Sequence, residues 1–220
     1  MSERYTAMRT SLRTAGIMMV FTVVFTAMMS TTYRVTRPAI EASELAERMR
    51  LIDEVLPPES YDNALLDDYV ELGPTPELGL DRGGRVYRAR RDGTPAALVL
   101  EAAAPDGYGG RIRLAVAVDA DGRISGVRAT AHSETPGLGD YIDPRKDRNK
   151  ERPWITQFTG LSFADVAADK WQVRRDGGAF EYRVGATISA RAVTNATGRA
   201  LAFAVEHREA LFDAEAGTRF

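Results

Sequence analysis

The sequence predicts an α+β protein in which a single N-terminal transmembrane helix precedes one domain of antiparallel hairpins with flanking helices. First, an uncharged apolar run lies between Arg13 and Arg34, long enough to cross a hydrocarbon core of about 30 Å. Second, alternating apolar residues broken by Asp-Gly turns follow in the middle of the chain. Third, an alanine-rich amphipathic stretch near the C-terminus is typical of a long helix. A chain of 220 residues has room for one such membrane segment and one ordinary domain.

Residues 14–33, TAGIMMVFTVVFTAMMSTTY, are predicted to form the transmembrane helix, and residues 1–13 a cytoplasmic tail. A cleaved signal peptide would have a shorter apolar run with a small-residue cleavage site, and a buried core helix is rarely apolar on all sides. Arginines lie on both sides of the run, so the positive-inside rule favours a cytoplasmic tail only weakly.

Residues 34–58 are predicted to connect this helix to the domain. Pro38 opens an amphipathic stretch, and Pro57-Pro58 end it. Its apolar residues recur at helical spacing: Leu45, Met49, Ile52 and Leu56. The stretch is either a helix leading from the membrane or the first helix of the domain.

The domain itself, residues 59–220, begins with a turn-rich loop and is then predicted to contain three hairpins. Their turns lie at Asp92-Gly93, at Asp121-Gly122 and at Asp176-Gly177-Gly178. A short helix is expected from Ser162. Ser189 is expected to be the N-cap of the last helix, whose buried face is predicted from the spacing of its apolar residues: Val193, Ala196, Ala200, Leu201, Ala204, Val205 and Leu211.

The composition argues against several classes of function. There is no cysteine, so the chain has no thiolate ligand for an iron–sulfur cluster, and only His132 and His207 offer imidazole. The formal net charge is -2, with arginine and acidic residues mixed throughout. Because no basic stripe runs along the sequence, nucleic acid is not expected as a partner.

A Gly-Ala-Thr corner between the last predicted strand and the last helix holds the most informative residue, Thr187. Backbone amides at a helix start attract anions, and Arg191 in the first turn would suit a nearby phosphate. The alternative is a tight strand-to-helix turn in which Thr187 offers a local hydroxyl cap. The corner is not a Walker loop or a nucleophile elbow, and the adjacent residues His132, Ser133 and Glu134 cannot easily meet in the geometry of a catalytic triad. We expect no catalytic side chains and no metal ligands.

Three passages together carry a family resemblance: PDGYGG at 105–110, HSETPGLGD at 132–140 and GATISARAV at 185–193. With the N-terminal membrane segment, their order resembles the FMN-binding domain in the G subunit of Rnf-type electron transport complexes. It is more distantly similar to the C subunit of the sodium-translocating NADH:quinone oxidoreductase. The resemblance covers the chain from about Pro105 to the last helix.

The resemblance implies that FMN is attached covalently, through a phosphoester bond between its phosphate and the hydroxyl of Thr187, by a dedicated flavin transferase. It implies a loop against the flavin ring, formed by Glu134, Thr135, Pro136, Gly137, Leu138 and Gly139, and a corner completed by Gly185, Ala186, Ile188 and Ser189. Glycines let amides approach a flat ring, Leu138 can cover its face, and Thr135 can donate a hydrogen bond to it. The family pattern has Asp six residues before the modified Thr and Ser or Thr three before it; here these positions hold Glu181 and Val184.

The implied function is electron transfer within a membrane complex that couples exchange between reduced ferredoxin and NAD to sodium or proton movement, that is, a translocase. The partners would be the other subunits of the complex, against which Thr22, Thr26 and Ser30 could pack. The expected location is the bacterial inner membrane, spanned by one helix, with the C-terminal domain on the periplasmic side. The alternative is a membrane-tethered scaffold or sensor with no ion-pump role, and Val184 is the residue that favours a scaffold without flavin.

Overall fold

The computed structural model describes residues 2–220, with side chains described from Arg9 onward except that of Glu44. The chain divides into two units, Met1–Arg48 and Met49–Phe220. The second unit contains a sheet, a long helix and the loops that connect them. Met1, the first residue of the predicted tail, lies outside the described residues.

The N-terminal helix α1, Ser2–Asp53, is longer than the sequence indicated. It continues through Pro38, where we expected a new helix to begin, and it ends before the double proline. A proline inside a helix removes one backbone hydrogen bond, and here the neighbouring turns keep the helical path. The described part contains one candidate membrane span, within Arg9–Asp53, with a mean hydropathy of 1.7 over its apolar window. The limits 14–33 of the membrane-crossing part stay a prediction.

Several threonine hydroxyl groups of this apolar helix are satisfied within the helix itself. Thr22 donates to the Met18 carbonyl at 2.9 Å, and Thr31 donates to the Ala27 carbonyl at 2.8 Å. Because such bonds remove the cost of an unpaired hydroxyl in hydrocarbon, threonine is compatible with a membrane span here.

The described part of the second unit contains a five-stranded antiparallel sheet in the order β1-β2-β3-β4-β5. Its strands are Tyr69–Leu72, Gly84–Arg91, Thr94–Gly107, Gly110–Asp119 and Ile124–Ala131. The first two predicted hairpins are therefore confirmed as β2-β3 and β4-β5. At the first turn Asp92 and Gly93 have φ values of 50° and 74°, the left-handed backbone that a two-residue hairpin turn needs.

The sheet is buried on both faces, which explains why its strands alternate less cleanly than a half-exposed sheet. One face of β3, including Leu98 and Leu100, packs in the core cluster that contains the C-terminal helix. The other face, including Val99, packs against Val55 and Leu56, which follow the end of α1. The fold is thus α+β with helical segments on both sides of one antiparallel sheet, as the sequence predicted.

The third predicted hairpin is wrong. Residues 171–184 form a 3-10 helix, Arg174–Asp176, and one isolated parallel bridge between Val173 and Phe180. The apolar residues of this segment serve an aromatic cluster instead: the Trp171 and Phe180 rings lie 4.8 Å apart, centroid to centroid. The expected helix at Ser162 is also wrong, because that stretch makes a single turn in which the Ser162 hydroxyl donates to the Asp165 carboxylate at 2.6 Å.

The C-terminal helix α2, Thr187–Asp213, starts three residues earlier than expected, so Ser189 lies inside its first turn and is not the N-cap. The predicted face is buried except at Val205, which is about half exposed. The other end of α2 is held by β2. Arg88 donates to the Leu211 carbonyl at 3.0 Å, and Arg90 donates to the Phe212 carbonyl at 2.9 Å. Cations at a helix C-terminus stabilise it, so these arginines fix the position of α2 on the sheet.

Candidate functional site

The buried carboxylate of Glu134 joins the three sequence passages that suggested a site. Glu134 is only 4% exposed. The Gly109 amide donates to Oε1 at 3.0 Å, and the Ser189 hydroxyl donates to Oε2. Gly109 belongs to the turn between β3 and β4, and Ser189 to the first turn of α2. The carboxylate therefore holds a strand turn, a loop and a helix start together.

Two glycines make this close approach possible. A Cβ atom on Gly109 would collide with the Ser133 carbonyl oxygen, and one on Gly139 would collide with the Ser189 hydroxyl. Only a residue without a side chain fits at either position. One glycine in each of the first two passages is thus explained by close packing beside Glu134.

Backbone hydrogen bonds stiffen the loop that follows Glu134. The Thr135 carbonyl accepts from the amides of Leu138 and Gly139, both at 3.1 Å. Gly137 has φ of 76° and donates its amide to the Asp140 carboxylate at 2.8 Å. Thr135, Pro136, Gly137 and Leu138 are exposed, whereas Gly139 is buried. The loop is therefore fixed by its own backbone hydrogen bonds and by Asp140, and residues 135–138 are exposed to solvent.

The Gly-Ala-Thr corner opens α2 without a side-chain cap. Gly185 turns the chain with φ of 90°, Ala186 occupies the N-cap position, and no side-chain hydrogen bond caps the helix. The local hydroxyl cap considered for Thr187 is thus not formed. The first amides of an α-helix have no partner within the helix, so this end offers N–H groups and the positive end of the helix dipole to an anion.

Thr187 is 6% exposed, and its hydroxyl has no hydrogen-bond partner among the residues that the structure describes. Arg191 is not free to meet a phosphate as we expected. Its guanidinium makes a two-bond contact with Asp176, with Nη2 at 2.8 Å from Oδ1. Asp176 compensates the charge that would otherwise disfavour an arginine in the first turn of the helix.

Three residues that the sequence did not single out fix the backbone of the corner through hydrogen bonds and an ion pair: Tyr141, Arg183 and Asp147. The Tyr141 hydroxyl accepts from the Arg183 amide at 3.2 Å and donates to the Ala186 carbonyl at 3.3 Å. The Arg183 guanidinium lies 4.4 Å from the centre of the Tyr141 ring and pairs with the buried Asp147. Burial raises the pKa of Tyr141, so the phenol stays neutral and able to donate. No spacing signal marks these residues because about 40 positions separate Tyr141 from the corner.

Four exposed apolar side chains, called the apolar rim below, lie on the segments that meet near this corner. Their exposed fractions lie between 42% and 91%: Tyr108, Leu138, Val184 and Ile188. Three of them are sequence neighbours of residues that lie against the Glu134 carboxylate, namely Gly109, Gly139 and Ser189, and Val184 directly precedes the corner. Water-exposed apolar side chains grouped around polar donors are typical of a ligand or partner site. The site therefore combines unpaired amides, one unpaired hydroxyl and an apolar rim. Those features fit a molecule with a phosphate and a flat aromatic ring.

Comparison with known proteins agrees with this geometry. Residues 107–202 match the FMN-binding domain family, and residues 1–55 match the family described as the RnfG N-terminal region. The fold and the site thus define the class of the molecule: an FMN-binding domain that follows an N-terminal helix long and apolar enough to cross a membrane.

Full-length relatives narrow this class to one family. The chain is 41% identical over 207 residues to the G subunit of the ion-translocating oxidoreductase complex of Pseudomonas aeruginosa (strain UCBPP-PA14), covering 94% of both chains. It is 36% identical over 205 residues to the protein of the same name in Shewanella loihica, covering 93% of this chain and 94% of the relative. For Vibrio cholerae (strain M66-2) the identity is 37% over 205 residues, covering 93% and 95%. The chain belongs to the family of G subunits of ion-translocating oxidoreductase complexes, and the family recognised in the sequence is confirmed.

Proposed function

We propose that this chain is the membrane-anchored flavoprotein subunit that carries electrons within an ion-translocating oxidoreductase complex, with FMN attached covalently to Thr187. One observation carries the covalent assignment. The Thr187 hydroxyl is the unpaired side-chain donor at an uncapped helix start, beside the apolar rim. A phosphate bound there receives the amides of the first turn and the positive end of the helix dipole.

Each part of the site has a distinct task in this proposal. The corner from Gly185 to Ser189 holds the phosphate, and Leu138 and Tyr108 cover apolar parts of the ring. Thr135 and the glycine-rich loop offer hydrogen bonds to its polar edge. When bound, FMN supplies the redox chemistry, so the protein needs no acid–base pair of its own. Glu134 positions the site rather than contacting the ring, because its carboxylate is buried and occupied by Gly109 and Ser189.

Attachment requires an activated donor and an enzyme. The new bond joins the Thr187 oxygen to the phosphorus of FMN while the hydroxyl loses its proton. The donor must therefore carry that phosphate in an activated linkage, as a flavin dinucleotide does, and its nucleotide half is the leaving group. A flavin transferase is the proposed partner for this step.

The proposal extends to the surroundings of the chain. Its partners are the other subunits of the complex, and the complex couples electron transfer between reduced ferredoxin and NAD to sodium or proton translocation. The protein is proposed to lie in the bacterial inner membrane, with residues 1–13 in the cytoplasm, residues 14–33 in the bilayer and residues 59–220 on the periplasmic side. The similarity in length and sequence to the G subunits of Pseudomonas and Shewanella supports this assembly.

A second candidate function is a membrane-tethered scaffold or sensor without an ion-pump role. Val184 favours the scaffold, since it stands where the family pattern has Ser or Thr, and it is 91% exposed. Such an exposed position is open to a modifying enzyme, so the side chain there can decide whether the transferase accepts this chain.

Intact mass and in-gel flavin fluorescence test both candidates. The full chain is made with and without a flavin transferase, together with Thr187→Ala and the control Thr135→Ala. A flavin-sized mass increment should survive denaturation, persist in Thr135→Ala and vanish in Thr187→Ala. If the wild-type chain stays unmodified while Val184→Thr is modified, the native chain is a scaffold. Co-purification with multispanning subunits then separates a complex subunit from a freestanding sensor.

A further inference from the structure

A strongly basic segment lies directly after the loop of the candidate site. Residues 145–152 expose five cations and one acid: Arg145, Lys146, Arg148, Lys150, Arg152 and Glu151. Two neighbouring carboxylates, Asp147 within this range and Asp143 just before it, point inward, and Asp147 is 0% exposed. The outward surface is therefore strongly positive although the whole chain has a net charge of -2.

The inward carboxylates hold the segment in place, and only one of its five outward cations, Arg145, pairs with them, through Asp143. Asp147 accepts from the amides of Asn149 at 2.8 Å and Trp154 at 2.7 Å and pairs with Arg183. Burial alone would raise the pKa of Asp147, but these three donors outweigh burial and hold it below its ordinary value. Asp143 likewise accepts from the Arg145 amide at 2.9 Å. Both acids are thus occupied by the fold.

Three of the outward cations are uncompensated. Among the described side chains, those of Lys146, Arg148 and Arg152 make no hydrogen bond or ion pair. Long solvated cations cost nothing to leave unpaired, so their presence alone is ordinary. Their concentration within eight residues and their position beside the candidate site are what call for a function.

The segment is joined to the Gly-Ala-Thr corner by direct contacts. Asp147 holds Arg183, four residues before Thr187, and the Trp154 indole donates to the Glu181 carbonyl at 2.7 Å. A molecule that docks on the basic segment therefore lies next to the candidate flavin site. Charges close to a site steer an oppositely charged partner toward it and raise the association rate.

We propose that residues 145–152 form a docking surface for an acidic face of the protein that exchanges electrons with the flavin site. This rests on the proposed function, since it names the partner chemistry of that same site. A protein partner fits better than anionic lipid. A bilayer covering this segment would also cover the adjoining corner, whereas an electron-transfer partner has to approach that corner.

The test reverses the three uncompensated cations in the full-length, flavin-loaded protein, as Lys146→Glu/Arg148→Glu/Arg152→Glu. The matched control, Arg82→Glu/Arg91→Glu/Arg208→Glu, makes the same change in net charge with exposed arginines outside the segment. Both are compared with wild type for reoxidation of the reduced flavin by ferricyanide, a trianion, and by hexaammineruthenium(III), a trication. At low salt we expect the segment variant to react at least about tenfold more slowly with ferricyanide, with a smaller change in the control.

Two further measurements address the macromolecular partner. The tagged chain is co-expressed with the membrane subunits of its complex, and co-purification and electron transfer through the complex are measured. Binding of a polyglutamate peptide to the Thr187→Ala chain gives a readout that needs no flavin. Loss of partner binding and of salt-dependent peptide binding in the segment variant alone supports the proposal.

The proposal is overturned if the segment variant behaves like the control in these measurements. It is also overturned if the variant loses binding to phosphatidylglycerol vesicles but keeps its electron-transfer rate, because the segment is then a membrane contact. Flavin fluorescence on a denaturing gel is recorded for every sample. Absence of flavin from the wild-type chain counts against the proposed function, while the peptide measurement still decides whether the segment binds an acidic partner.

Discussion

Replacing Glu134 with alanine is expected to lower the free energy of unfolding of the Met49–Phe220 unit by about 3 kcal/mol, because two donors lose their charged acceptor. Removing the charged acceptor of a hydrogen bond costs about 1.5–3 kcal/mol when the donor stays buried and unpaired. The Ser189 hydroxyl is buried, so in the Glu134 variant the loss of its hydrogen bond is expected to cost an amount within this full range. The Gly109 amide belongs to an exposed residue and can bond to water, so its loss adds about 1 kcal/mol or less. Ser189→Ala alone should cost about 2 kcal/mol.

The assay is urea unfolding of the unmodified full chain followed by tryptophan fluorescence. Both tryptophans, Trp154 and Trp171, are buried in the Met49–Phe220 unit and report on it alone. Ser133→Ala, which removes an exposed hydroxyl one residue before Glu134, serves as the control and should change stability by less than about 0.5 kcal/mol. In the double variant with Ser189→Ala, the effects should fall short of additivity by about 1 kcal/mol or more. Additive effects would refute the proposed link between the carboxylate and the helix start.

Three further predictions follow from other contacts. Arg88→Met should lower the free energy of unfolding by about 2–4 kcal/mol in the same assay, because it removes the α2 cap and the short ion pair with Asp68; unchanged stability would contradict the capping role. The pKa of Asp147 is lowered in the folded state, so its stabilising effect is present above its ordinary pKa of 3.8 and is lost as pH falls through the lower folded value. The loss of stability caused by Asp147→Asn should therefore shrink between about pH 5 and pH 2, measured by urea titration. A loss of stability that does not change with pH would contradict this role of Asp147. Gly109→Ala should reduce covalent flavin loading per folded protein, measured by in-gel fluorescence, because the added methyl collides with the Ser133 carbonyl; full loading would show that the turn can move.

The elements predicted best were those specified by neighbouring residues. Asp92-Gly93 and the alternating strands around it encode their hairpin locally, and the structure has it. The segment around Asp176-Gly177 has the same turn residues, yet no hairpin forms. Its Trp171 and Phe180 pack with Phe158 in an aromatic cluster, a contact that reaches beyond the segment and that local turn residues do not encode.

The start of α2 is a second place where local residue types did not predict the structure. Ser189 is a good N-cap by residue type, but in the fold its hydroxyl is taken by Glu134, 55 positions earlier. A tertiary acceptor that carries a charge outweighs a local backbone donor, so the helix begins at Thr187. Arg191 likewise found Asp176, a partner that helix position alone could not indicate.

The sequence by itself determined the apolar N-terminal helix that is a candidate membrane span, the α+β class and the three passages that mark the family, because each depends on residues close together in the chain. Only the tertiary structure decided how those passages combine. It buried the carboxylate of Glu134 between Gly109 and Ser189, and it brought Tyr141 and Arg183 together at the Gly-Ala-Thr corner. It also turned Asp147 inward so that the neighbouring cations face solvent. The physical reason is that burial and long-range hydrogen bonds select the partner of each polar group, and neither is written in local spacing.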